Sequence, residues 1–111
     1  MSMSEKLEAM LGSGRDDFLL RYGLGNAYLS EGNPEAAIAH LEIATQQNAS
    51  HSAAWKLYAK ALAETEQYGA ARDAYQSGIE VAVQNGDRQA EKEMRVFLRR
   101  VEKQLNEGDQ E

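Results

Sequence analysis

Hydrophobic residues along this chain recur three and four positions apart, the spacing of one helix face, and strand signals are nearly absent. The two short β-branched clusters, Gly78–Val83 and Met94–Leu98, continue apolar positions at the same helical spacing. The pattern predicts an all-α chain of five main helices. The first runs from Asp16 to Ser30, with Asp16 and Asp17 at its positive end, and stops at Gly32. Asn33-Pro34-Glu35 then restarts the chain. Asparagine supplies a cap acceptor, proline is pre-set for the first helical position, and glutamate favours the helix dipole. The second helix spans about Pro34 to Gln47. Ser50 is the predicted cap of a third, about His51 to Thr65, which breaks near Glu66 and Gln67. A fourth covers Tyr68 to Gln84. Asn85-Gly86-Asp87 ends it and opens the fifth, Asp87 to Asn106, leaving a tail, Glu107 to Glu111, that is expected to be disordered. At the other end, Ser2-x-x-Glu5 is a capping box for a short helix that dies at Gly12-Ser13-Gly14.

Gly23 and Gly25 raise a question, because they fall inside the first predicted helix. A dinucleotide-binding loop needs a third glycine where Tyr28 stands, so the match is poor. As helix residues, each glycine costs about 1 kcal/mol relative to alanine unless close packing requires it. The answer lies in an internal repeat. A shift of 34 residues superposes Arg21 on Trp55, Leu24 on Tyr58, Gly25 on Ala59 and Tyr28 on Leu62. It also superposes Ala37 on Ala71, Leu41 on Tyr75 and Ala44 on Gly78, large on large and small on small. The chain resembles the tetratricopeptide repeat, a helix-turn-helix unit of this length patterned W-x-x-L-G-x-x-Y and then A-x-x-x-F. It departs from that pattern where Arg21 replaces the first tryptophan, and where Ala49 and Val83 stand in the place of the usual proline.

The resemblance implies a right-handed α-solenoid of antiparallel helix pairs. Within a domain over 15–106, one repeat covers 18–51, a second 52–85 and a capping helix 87–106, after an N-terminal extension over 1–14. In this reading Gly25, Ala37, Ala44, Ala59, Ala71 and Gly78 are small because helix axes cross there about 8–10 Å apart. The fifth helix aligns with the third only after a shift of 40 residues, with Met94 on Ala54 and Leu98 on Tyr58. Its stripe of Ala90, Met94, Phe97, Val101 and Leu105 can cover the fourth helix, whereas Arg95, Arg99 and Glu102 sit where a sixth would pack. Those charges mark a solvating cap.

Composition narrows the function. With 42% hydrophobic residues, the 111-residue chain can bury one modest core. A formal charge of -6 argues against nucleic acid, and the absence of cysteine removes disulfides, thiolate metal sites and cysteine nucleophiles together. No apolar run nears the roughly 18 residues of a membrane span, and "MSMSEKLEAML" is no export signal. A soluble, cytoplasmic protein without membrane contact is expected. His40 and His51 lack a carboxylate cluster at metal-ligand spacing, and no serine sits in a nucleophile elbow. No enzyme, metal or cofactor is therefore expected. Tyr28, Trp55, Tyr58, Tyr75 and Phe97 fall at helical spacing and read as core.

What the resemblance implies is a protein- or peptide-binding module, a scaffold or adaptor, whose concave wall is lined by the first, third and fifth helices. It points to Leu19, Tyr22, Asn26 and Ser30 on the first, Lys56, Lys60 and Glu64 on the third, and Val96, Arg100 and Lys103 on the fifth. Some family members clamp chaperone C-terminal carboxylates, but the matching places here are Tyr22, Asn26, Leu57, Glu93 and Phe97. Only Asn26 agrees, so that activity is not carried over. The basic wall residues suggest a partner segment mixing acidic and apolar residues, bound by a monomer or weak dimer. The alternatives are a self-assembly module, with Leu7–Leu11 packing on a neighbour, or the C-terminal domain of a larger repeat protein.

Overall fold

Five of the six helices begin where a side chain accepts a hydrogen bond from an amide that has no carbonyl partner; the helix that follows Gln67 has no such cap. The computed structural model describes residues 1–109. It contains α1 (Met3–Gly12), α2 (Phe18–Ser30), α3 (Pro34–Gln47), α4 (Ser52–Glu64), α5 (Tyr68–Asn85) and α6 (Arg88–Asp109). The five main helices of the sequence reading are α2 to α6, and the short N-terminal helix is α1. Ser2 Oγ accepts from Glu5 N at 3.2 Å, Asp17 Oδ1 from Leu20 N at 2.9 Å, and Asn33 Oδ1 from Ala36 N at 3.3 Å. Asp87 Oδ1 accepts from Ala90 N at 3.1 Å. One cap differs from expectation. His51, not Ser50, opens α4, its Nδ1 accepting from Ala54 N at 3.3 Å, while the Ser50 hydroxyl donates to Asn48 Oδ1. Likewise α2 starts at Phe18, because a capping Asp17 must keep an extended backbone (φ -141°, ψ 171°).

Three helices, α2, α4 and α5, stop in one repeated way. Asn33 N donates to Tyr28 O, Gln67 N to Leu62 O and Asp87 N to Ala82 O, each at 2.8–2.9 Å, closing the last turn around a left-handed residue. That residue is Gly32 (φ 77°) after α2 and Gly86 (φ 71°) at the end of α5. After α4 it is Glu66 (φ 62°), which carries a Cβ into a conformation that glycine adopts without steric penalty. Nothing comparable stops α6 at Asn106. It runs to Asp109, three residues into the tail expected to be disordered; Gln110 and Glu111 lie outside the described residues. Gly108 is the only poor helix former there, at about 1 kcal/mol.

Two antiparallel pairs, α2 with α3 and α4 with α5, stack in a right-handed α-solenoid, and α6 covers the exposed side of α5. The molecule measures 47 × 34 × 19 Å, and its thinnest dimension is close to two helix diameters, as a two-layer array requires. Leu20, Leu24 and Leu41 are fully buried in the first pair, and Leu62, Tyr75, Ile79, Met94 and Val101 join α4, α5 and α6 in one core. Small residues set the approach. A Cβ at Gly25 would collide with the branch of Leu41. One at Gly78 would lie 2.6 Å from Met94 Sδ and 2.9 Å from Trp55 Cβ, so Gly78 is met from α4 and α6 at once. On α6, Ala90, Met94 and Val101 are buried, whereas Arg95, Arg99 and Glu102 face water.

The first unit differs from the second at Arg21. Trp55 half-buries its ring and donates Nε1–H to Ala49 O at 2.8 Å. Arg21 instead grips Asp16 through two hydrogen bonds of 2.8 Å and meets His40 Nδ1 at 3.1 Å. Arg21 and then Gln47 hold the Asp16 carboxyl down at about 2. The other ring nitrogen of His40 donates to Glu8 of α1 at 2.9 Å, and Glu8 also accepts from the Tyr28 hydroxyl at 3.0 Å. Ser4 Oγ and N donate to Glu31 at 2.6 and 3.1 Å. Thus α1 is docked mainly by carboxylates, with Leu7 against Gly23 as an apolar contact.

Three stability outcomes follow from this packing. Gly25→Ala should destabilise by about 1–2 kcal/mol despite the roughly 1 kcal/mol helix preference of alanine, because buried Leu41 cannot retreat. Gly69→Ala, which meets nothing within 4 Å, should not. Urea melts of the two variants that coincide would refute the crossing geometry. Ala37→Leu and Ala71→Leu, both at positions fully enclosed, should each lose about 1–3 kcal/mol by overpacking in the same assay. Conversely, Glu66→Gly should gain about 0.5–1 kcal/mol by relieving the left-handed backbone, and a lowered urea midpoint would contradict that strain.

Candidate functional site

A groove of about 610 Å³ opens between α4 and α6, with Tyr68 and Tyr75 of α5 beneath it. Residues four apart share a helix face, which is why Lys56, Lys60 and Glu64 line one wall together with Leu57 and Ala63. On the facing wall, Glu93, Phe97, Arg100 and Gln104 follow the same rule, with Val101 below them. One ion pair spans the gap. Lys56 Nζ lies 2.8 Å from Glu93 Oε2, and Gln89 Nε2 donates to Glu93 Oε1 at 3.2 Å. These hydrogen bonds, led by that from Lys56, hold the Glu93 carboxyl below its ordinary range.

The other charges of the groove behave differently. Among the described residues, Lys60, Arg100 and Glu64 form no ion pair. The Arg100 guanidinium sits 5.4 Å from the centre of the Phe97 ring, a cation–π contact that leaves its N–H groups available. Phe97 in turn stacks on Tyr75 with ring centres 6.0 Å apart. Tyr75 is only 2% exposed. Burial pushes its phenol up to about 12, with Glu64 adding to the rise and Arg100 opposing it.

Of the wall residues read from the sequence, this groove gathers Lys56, Lys60, Glu64 and Arg100. Val96 and Lys103 are exposed on α6 but turned away from it, and Gln104 lines the groove where Lys103 was expected. The four positions on α2 lie outside it. Leu19, 70% exposed, Asn26 and Ser30 face solvent, while Tyr22 is half-buried, stacked on Phe18 and edge-on to His51. From the sequence Tyr75 and Phe97 read as core, with Phe97 also at a place matching the family's carboxylate clamp; both line the groove, as do Leu57 and Glu93. The signal for Phe97 was available: Glu93, Phe97, Arg100 and Gln104 recur at helical spacing on one face. Among the described residues there is no group of three His, Cys, Asp or Glu side chains able to hold a metal ion, and no helix long and apolar enough to cross a membrane.

Comparison with known proteins agrees with this architecture. The tetratricopeptide repeat family profile matches residues 22–89. A TPR repeat-containing protein of Pseudomonas aeruginosa is 46% identical over 101 residues, covering 91% of this chain and 96% of its own. The solution structure of a Bordetella parapertussis protein superposes with a TM-score of 0.79 at 39% identity, over 94% of this chain and 90% of that one. A tetratricopeptide repeat domain from Salinibacter ruber, solved as a crystal structure, shares the fold with a TM-score of 0.71 at 24% identity, over 78% and 97% of the two chains. With the repeat stops, the small crossing residues and these relatives in agreement, the chain belongs to the tetratricopeptide repeat family.

Proposed function

We propose that this domain is a non-catalytic protein-binding module whose groove between α4 and α6 holds an extended or helical partner segment mixing acidic and apolar residues. The observation that carries the reading is the pairing pattern in the groove. Lys56 and Glu93 neutralise each other, which leaves Lys60 and Arg100 without anionic partners beside an aromatic floor. A net acidic protein thereby presents a locally basic, partly apolar surface. Leu19, Tyr22, Asn26 and Ser30 on α2, with Val96 and Lys103 on α6, serve in this proposal as outlying contacts for a longer segment. A cytoplasmic setting and no affinity for nucleic acid belong to it too, in keeping with the net charge of -6 and the lack of cysteine.

A second reading, self-assembly through α1, is favoured by Met1, Met3 and Met10, which are 86%, 58% and 37% exposed at one end of the solenoid. Sedimentation separates the two: a monomer at high micromolar concentration supports the partner reading, and a stable dimer supports assembly.

An NMR shift titration with matched acidic and basic peptide libraries tests the main proposal. Acidic, leucine-containing peptides should shift α4 and α6 resonances. Lys60→Glu and Arg100→Glu should each weaken binding by about 0.2–1 kcal/mol, an effect that fades as salt rises. Preference for basic peptides, or shifts confined to α3 and α5, would overturn it.

A further inference from the structure

The floor of the groove holds a hydrogen-bonding group that the fold does not use. Tyr75 is 2% exposed, and its ring is fixed by stacking on Phe97. Its hydroxyl makes no hydrogen bond to any described residue, and the groups that act on it electrostatically are Glu64 and Arg100, both in the groove walls. Among the described residues no fully enclosed polar side-chain atom lacks a partner. The Tyr75 oxygen is therefore not sealed in the core but opens at the bottom of the groove. A hydroxyl with no partner in the fold and open to the groove is free to donate to a ligand group that enters there.

The surroundings define the ligand group. Phe97 and Val101 from one side and Leu57 and Ala63 from the other are the apolar part of the same groove's lining. Lys60 and Arg100 stand at its rim with Glu64, leaving one excess positive charge once the Lys56–Glu93 pair is set aside. Burial holds the phenol protonated throughout the physiological range, so towards an anion it acts as a donor. A glutamate side chain has the matching form, two methylenes ending in an acceptor-only carboxylate. We propose that Tyr75 is a specificity-determining residue, its hydroxyl donating to the carboxylate of a partner glutamate that enters between Lys60 and Arg100. This rests on the reading of the groove as a peptide site and adds which residue of the peptide is read, and by which atom.

Tyr75→Phe removes only the oxygen. Because that oxygen has no partner within the fold, the thermal melt should not move; marked destabilisation would assign the hydroxyl a structural role and overturn the proposal. Binding is then measured by NMR with blocked peptides that differ at one central position, Glu, Gln, Leu or Lys, in an otherwise Leu/Ala sequence. The wild type should prefer Glu, and Tyr75→Phe should lose about tenfold for the Glu peptide and nothing for the Leu peptide. Equal Glu affinity in both proteins, or preference for Lys, would refute the role of Tyr75 while leaving the groove as a peptide site. Isovalerate, a carboxylate on an apolar stem, supplies an independent arm against isovaleramide. A Tyr75-dependent shift of the Arg100 Nε–H signal by isovalerate, with no response to any peptide, would keep the pocket and reject the peptide site; silence from every probe would reject both.

Discussion

The structure depends on how closely its helices are allowed to approach, and the tightest control is exercised at Gly78. The side chains of Trp55 from α4 and Met94 from α6 both close on a point where any Cβ would collide with them. This junction fixes the separation of the two helices that wall the groove. Helices held by larger side chains would stand farther apart, and the groove would widen. Gly25 against Leu41 does the same for the first pair. The helix propensity lost at these glycines is thus offset by packing, and the packing is what shapes a binding surface.

Much of this was legible because the repeat is written twice. The small residues at the helix crossings, Gly25 with Ala59, Ala37 with Ala71 and Ala44 with Gly78, recur after 34 residues, and all six are buried. Local chemistry with more than one solution is where the structure departs from the sequence pattern. Ser50 is the more familiar cap, yet imidazole Nδ1 of His51 can accept the same amide once the ring turns over the helix start. Glu66 gave no hint of its backbone, since only a neighbouring hydrogen-bond pattern forces a glutamate left-handed.

The groove was half legible. The spacing of Lys56, Lys60 and Glu64 on α4 carried over directly, because α4 keeps the register of the repeat. Helix α6 lies outside the 34-residue repeat, and Val96 and Lys103 lie just off the wall that Phe97 and Gln104 form. Tyr75 was hidden for another reason. A tyrosine at a core position looks like any large residue, and only the absence of a partner for its hydroxyl separates it from a phenylalanine. Net charge was equally silent, because the -6 of the chain averages over a surface whose pairs are unevenly spent.

The docking of α1 has a consequence for how the domain comes apart. In a stack where each helix touches mainly its neighbours, opening starts at an end. The two ends are held by different physics. At one, α6 buries Met94 and Val101 in the core shared by three helices. At the other, α1 hangs on Glu8, Glu31 and the Arg21–His40 relay, contacts that water and salt can replace. Amide exchange in native conditions should accordingly be directional in this molecule, with protection rising from α1 towards α5 and a first cooperative opening that releases α1 while both helix pairs persist.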